Sequence, residues 1–177
     1  DEEGHVLAEH LFTKESDIPF VEPQAWHRVS PASDDLRCYL TFYCTLEDYF
    51  SKKYDLTRTH SEVIEAAPKF EKGPILDLGS GQGRNSLYLA KKGFDVTALD
   101  IQTMSLAHLQ QIAEEEGLAI PVESYNIESA DIPGGLYNAI ISTVVLMFLN
   151  ADSIPDVIEN MQSHTAPGGY NLIVAAM

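Results

Sequence analysis

From Pro74 onward, short apolar runs alternate with segments whose apolar residues recur at helical spacing. "PILDLG", "FDVTALD", "PVESYN" and "YNAIISTVV" read as strands, the first of them buried on both faces. Between them, "RNSLYLAKK" reads as a helix stopped by Gly93, and "MSLAHLQQIAEEE" as a helix capped by Thr103 and stopped by Gly117. A loop with Pro133, Gly134 and Gly135 precedes the fourth strand. "SIPDVIENMQSHT" is a further helix with Pro155 in its first turn, and a turn at "PGG" leads into a fifth strand, "YNLIVAAM". Strands and helices in strict alternation predict an α/β fold: one parallel sheet flanked by helices on both faces.

Upstream the texture changes. "LEDYFSKKY" predicts a helix with Leu46, Tyr49, Phe50 and Lys53 along one side. Thr59 followed by Glu62 has the form of a capping box and predicts a helix through Val63, Ile64 and Ala67. Residues 1–44 carry short extended pieces between Pro, Ser and Asp, the pattern of β-structure with turns, and are too few to bury a core alone. The chain thus divides into a β-rich N-terminal segment, 1–44, and an α/β domain, 45–177. Met177 falls inside or just after the fifth strand. The sheet is therefore expected either to be truncated there, with its remainder missing, or to have its apolar edge covered by another chain, as in a homodimer.

Composition narrows the function classes. The 177 residues are 45% hydrophobic, with no apolar run long enough to span a bilayer and no secretory signal pattern in "DEEGHVLAEH". A cytoplasmic protein without a membrane partner is expected. Eleven basic against 27 acidic residues give a formal net charge of −16, which repels phosphate backbones and argues against nucleic-acid partners. Cys38 and Cys44 would lie about 20 Å apart along a strand, too far to bridge, so buried free thiols are expected. The six histidines are scattered singly, and no metal site is expected. His27, beside Trp26, reads as a packing residue.

The chemistry concentrates after the first strand. Gly79, Gly81 and Gly83 occupy alternate positions, with Asp77 two residues ahead. Glycines in alternation make a tight turn that a bulky polar ligand can approach closely. In an α/β sheet this turn lies at the carboxyl end of the strands, where ligands bind. A dinucleotide fingerprint would need glycine where Arg84 stands. The pattern present, D-x-G-x-G-x-G, instead resembles motif I of the class I S-adenosylmethionine (SAM) methyltransferases, with their Rossmann-like sheet. The resemblance implies SAM as cofactor. It implies that Asp77, Gly79, Ser80 and Gly81 surround its amino-acid portion, and that Asp100, next to Ile101, takes the ribose hydroxyls. Asn126 would meet the adenine amine, Ile127 would present its backbone to the ring, and Thr143, with Val144, would face the methyl group.

Longer stretches resemble one family more closely. "KKYDLTRTHSEV", "GRNSLYLA", "STVVLMFL" and "NMQSHTAPGGYNLIVAAM" look like the tellurite-resistance methyltransferases of the TehB type, from about Tyr49 to Met177. Residues 1–44, with "VEPQAWHRV", look like the tail of the cupin-like domain that some members carry. The resemblance implies methyl transfer to a small, soft acceptor, tellurite or a related chalcogen oxyanion. A chalcogen lone pair needs no general base, and the sequence offers no acid–base pair. Arg58 is expected to clamp the cofactor carboxylate or, alternatively, to meet the oxyanion. Arg84 either covers the turn, pairs with an acid or meets the oxyanion, and Asn85 either contacts the cofactor or caps a helix. Met147 and Phe148 are expected to pack the segment after the fourth strand. Two other readings stand beside this one: a non-catalytic SAM-binding or dimerising module, and, disfavoured by Arg84, a nicotinamide-dependent oxidoreductase.

Overall fold

The structure is a computed structural model that describes residues 45–128 and 131–175. The expected β-rich segment 1–44, with Cys38, Cys44 and His27, lies outside the described residues. The described residues form five strands: β1 (Pro74–Leu78), β2 (Asp95–Asp100), β3 (Val122–Ser124), β4 (Tyr137–Thr143) and β5 (Thr165–Val174). Five α-helices accompany them in the described residues: α1 (Leu46–Tyr54), α2 (Ser61–Ala66), α3 (Arg84–Lys91), α4 (Thr103–Glu115) and α5 (Ile154–Ser163). The strands form one sheet in the order β3-β2-β1-β4-β5, and every neighbouring pair is parallel.

Burial follows from the alternation of side chains along each strand. On one face, Ile75, Val96, Ala139 and Ile141 pack with Tyr88 and Leu89 of α3, while Ala98 packs with Leu109, Ile112 and Ala113 of α4 and with Tyr49 and Phe50 of α1. On the other face, Leu76, Leu78, Leu99 and Ile140 meet Val157 and Met161 of α5. The helices after β1 and β2 thus lie on one face, and the helix after β4 lies on the other. The change of side falls between β1 and β4, which are paired through Ile75↔Ala139 and Asp77↔Ile141. A crevice opens at the carboxyl end of such a switch point.

Helix stops match the pattern. The amide of Phe94 donates to Leu89 O and that of Gly93 to Ala90 O, with Gly93 at φ +83°, a Schellman closure of α3. Gly117 closes α4 in the same way.

Helix starts need correction. Thr59 does not cap α2: its hydroxyl donates to Arg84 O at 3.2 Å, and His60 caps the helix, its Nδ1 accepting from the Glu62 amide. A tertiary partner has drawn the threonine away. Thr103 is the first residue of α4 rather than its cap; Gln102 holds the cap position, its amide bound by Asp100 Oδ1 at 2.8 Å. "PGG" does not separate turn from strand but lies within β5, as an irregularity between the pairs Tyr137↔Thr165 and Ala139↔Tyr170. Met147 and Phe148 do not pack inward: their single helical turn buries Leu146 and leaves them 50% and 78% exposed.

Candidate functional site

The three glycines answer to three different constraints. Gly79, at φ +79°, lies under Val145, and a Cβ there would come 2.3 Å from Val145 Cγ2. Gly83, at φ +84°, begins α3, and a Cβ would come 2.2 Å from Leu109 Cδ1, so the close approach of α3 to α4 excludes a side chain. Gly81, at φ +54°, would direct a Cβ into open space. Its amide donates to Asp100 Oδ2 at 2.7 Å, and the amides of Gly79 and Ser80 both donate to Leu99 O. The turn is therefore clamped to the end of β2.

Beneath the turn, Asp77 is fully buried. Its Oδ2 accepts from Ser86 Oγ at 2.5 Å, whereas Oδ1 has no hydrogen-bond partner, and neither has the buried Ser80 Oγ. Burial pushes the Asp77 carboxyl up to about 6, and nearby Asp100 adds to the rise; the Ser86 hydrogen bonds and the Arg84 charge oppose it. Buried polar atoms are almost always paired, so two orphaned oxygens at one turn point to donors and acceptors supplied by a ligand. A cavity of about 220 Å³ opens here, lined by Leu56, Thr57, Gly79, Ser80, Gly81, Gln82, Arg84 and Thr143.

The first turn of α3 organises this end of the sheet. Arg84 lines the cavity, with Nη1 3.5 Å from Thr57 Oγ1. Asn85, 2% exposed, does not line it; Oδ1 accepts from the His60 amide at 3.0 Å and Nδ2 donates to Thr143 Oγ1 at 2.9 Å. Ser86 holds Asp77. Immediately after Thr143, Val144 adopts φ +60°, strained for a β-branched residue, and turns the chain so that Val145 covers Gly79.

The remaining expected residues lie further along the carboxyl edge. Asp100 ends β2, both its oxygens accepting backbone amides, and Ile101 beside it is 63% exposed. Asn126 follows β3, exposed, with Oδ1 accepting from the Glu128 amide, and Ile127 packs against the α5-side core. Arg58 is placed elsewhere: its Nε binds Asp48 Oδ1 at 2.6 Å, and it is absent from the cavity lining. Sequence reasoning passed over Leu56, Thr57, Gln82 and Ser86. The first two sit in "DLTRTH", directly before the arginine that drew notice. Among the described residues, no three His, Cys, Asp or Glu side chains gather as a metal site, and no helix is long and apolar enough to cross a membrane.

A parallel sheet of this order, with a buried acid near the end of β1, a glycine turn after it and a second acid ending β2, defines the Rossmann-like methyltransferase fold class. The solved glycopeptide N-methyltransferase MtfA, complexed with SAM, shares the fold, with a TM-score of 0.57 at 22% identity over 66% of this chain and 50% of that one. Within that class the chain belongs to the family of the tellurite resistance protein TehB, which matches residues 42–177; a TehB-like domain matches residues 1–40. The probable S-adenosyl-L-methionine-dependent methyltransferase TehB of Haemophilus influenzae is 57% identical over 99% of this chain and 61% of its own length. The crystal structure of TehB from that organism superposes with a TM-score of 0.75 at 56% identity, over 100% of this chain and 62% of that one. A protein of Eikenella corrodens named hemagglutinin 1 is 43% identical over 99% of this chain and 58% of its own length. The chain thus spans about three-fifths of the relatives it matches.

Proposed function

We propose that this chain binds SAM along the carboxyl edge of the sheet and directs its methyl group to a small, soft acceptor, tellurite or a related chalcogen oxyanion. The observation that carries the reading is Asp77, a fully buried carboxylate under the glycine turn with one oxygen unpartnered. That oxygen fits an ammonium donor such as the cofactor's amino-acid portion carries. Asp100, on the next strand, keeps lone pairs beyond those taken by the Gly81 and Gln102 amides, and these suit ribose hydroxyls. Asn126, one strand further, is assigned to adenine, with Ile101 and Ile127 next in sequence to Asp100 and Asn126. Adjacent strands lie about 4.8 Å apart, so β1 to β3 span roughly 10 Å, the reach of a nucleoside. Arg84 lines the cavity and is assigned the anion-binding role, since Arg58 pairs with Asp48 outside that lining.

The cofactor's sulfonium supplies a methyl group already activated for transfer. The residues of this chain bind, orient and exclude water: Leu56 and Val145 wall the turn, and Thr143 closes the β4 side. Such orientation contributes up to about 7–11 kcal/mol in favourable cases. Tellurite as acceptor is supported by the family and by the softness of the chemistry.

The test is titration calorimetry with S-adenosylhomocysteine, with NAD as the control. Micromolar affinity for the first alone is expected, and Asp100→Ala should weaken it at least about tenfold, or 1.4 kcal/mol. Unchanged affinity in that variant would remove the ribose assignment, and preference for NAD would overturn the reading. Methyl transfer from labelled SAM to tellurite and selenite then tests the acceptor.

A further inference from the structure

We infer that Asn85 is a positioning residue that aims the Thr143 hydroxyl, as a hydrogen-bond donor, at an anionic oxygen of the ligand in the cleft. The nature of that ligand rests on the function proposed above; the geometry belongs to this chain. The backbone amide of His60 can only donate, so the Asn85 atom 3.0 Å from it is the carbonyl Oδ1. This turns Nδ2 toward Thr143 Oγ1, 2.9 Å away. Nδ2 can only donate, so Thr143 Oγ1 accepts and its own hydrogen must point elsewhere. Asp77 Oδ1, the orphaned oxygen on the neighbouring strand, makes no hydrogen bond with it or with any other group. Thr143 is 7% exposed and lines the same cavity as Arg84, the residue before Asn85. A hydroxyl hydrogen turned away from Asn85 and a guanidinium on one cavity together suit an anionic oxygen. Two sources carry that chemistry: the carboxylate of the cofactor and the oxyanion of the acceptor.

The experiment compares wild type with Thr143→Val, Thr143→Ser, Asn85→Ala and the double variant Asn85→Ala/Thr143→Val. Calorimetry reads affinity for S-adenosylhomocysteine, for 5′-methylthioadenosine, which lacks the carboxylate, and for selenite added to the protein with S-adenosylhomocysteine. Thr143→Val is expected to lose about ten- to hundredfold for one ligand, and Thr143→Ser to stay within about twofold of wild type. If the oxygen is the cofactor's, S-adenosylhomocysteine weakens and 5′-methylthioadenosine does not. If it is the acceptor's, selenite weakens and S-adenosylhomocysteine does not. Asn85→Ala should weaken the same ligand by a smaller factor and add nothing on the Thr143→Val background, because it acts through that hydroxyl. The inference is overturned if Thr143→Val matches wild type for S-adenosylhomocysteine and for selenite alike, or if Thr143→Ser loses as much as Thr143→Val. It also falls if S-adenosylhomocysteine and 5′-methylthioadenosine weaken together, or if the double variant shows additive losses. Selenite binding that depends on Thr143 in a protein that binds no S-adenosylhomocysteine would keep the inference and sink the cofactor reading. A wild type that binds neither would sink both.

Discussion

Asp77 shows how one residue couples burial to ligand chemistry. Its carboxyl stands at about 6 against an ordinary 3.8, first because burial disfavours the charge. The folded state therefore holds an extra proton between those values. The stability this proton contributes is fully present below about 4 and is lost as pH rises through about 6. An ammonium beside Oδ1 favours the ionised form, so binding near pH 6 should expel the proton. Affinity for S-adenosylhomocysteine should accordingly fall below about pH 6, approaching tenfold per unit. Calorimetry near pH 5.5 in buffers of different ionisation enthalpy should register proton release that vanishes near pH 8. Asp77→Asn should bind weakly with a flat profile; a wild-type affinity independent of pH would contradict the ammonium assignment.

At the scale of elements, the wall of the cleft depends on a buried carboxylate far from it. Glu116, at the C-terminal cap of α4, has a side chain only 3% exposed and lies at the negative end of the helix dipole. Burial alone would raise its pKa, but hydrogen bonds from Lys91, Lys53, Tyr54 and Tyr49 outweigh it and hold the carboxyl at about 2. Desolvation, reinforced by this carboxylate, lifts the Tyr49 phenol to about 12. The cluster ties α1 to α3 and α4, and so holds Leu56 and Thr57, which follow α1 into the cavity wall. Because the folded pKa lies below the unfolded one, the stabilisation is present above about 4.5 and disappears as pH falls through about 2. Glu116→Gln should cost roughly 2–3 kcal/mol at neutral pH in denaturant melts, and the gap from wild type should close toward pH 2. A gap that stays constant with pH would mean that packing, not charge, is what the residue contributes. The sequence placed Lys53 on the correct side of α1, but nothing local pointed to a partner 63 residues away.

For the whole molecule, the formal net charge of −16 sets a field that opposes any anionic acceptor. In the proposed site Arg84 would act at contact, while the surrounding acid acts at range. Raising ionic strength from about 10 to about 150 mM shortens that range to roughly 8 Å. The kcat/KM for tellurite should therefore rise with salt, by a few-fold, while affinity for zwitterionic S-adenosylhomocysteine changes little. A fall with salt would place attractive steering at the cleft mouth instead.

The division between sequence and structure follows from the range of the forces. Strand and helix order, the parallel sheet, the helix stops at Gly93 and Gly117, and the glycine turn with Asp77 were legible because each depends on neighbours in the chain. Periodicity, positive φ and absent side chains are local requirements. The cap at Thr59 was misread because a tertiary partner, Arg84 O, takes its hydroxyl; the cap at Thr103 was misread because Asp100, at the end of β2, binds the Gln102 amide and sets the cap one residue earlier. The same holds at the site. Chain order placed acids at the ends of β1 and β2, yet only packing decided that Asp77 is fully buried, that Ser86 holds it and that Arg58 turns to Asp48. Residues 85 and 143 meet because parallel pairing carries β4 beside β1, with the first turn of α3 laid across their ends. A hydroxyl acquires a direction only from a neighbour in space, so the aim of Thr143 belongs to the tertiary structure alone.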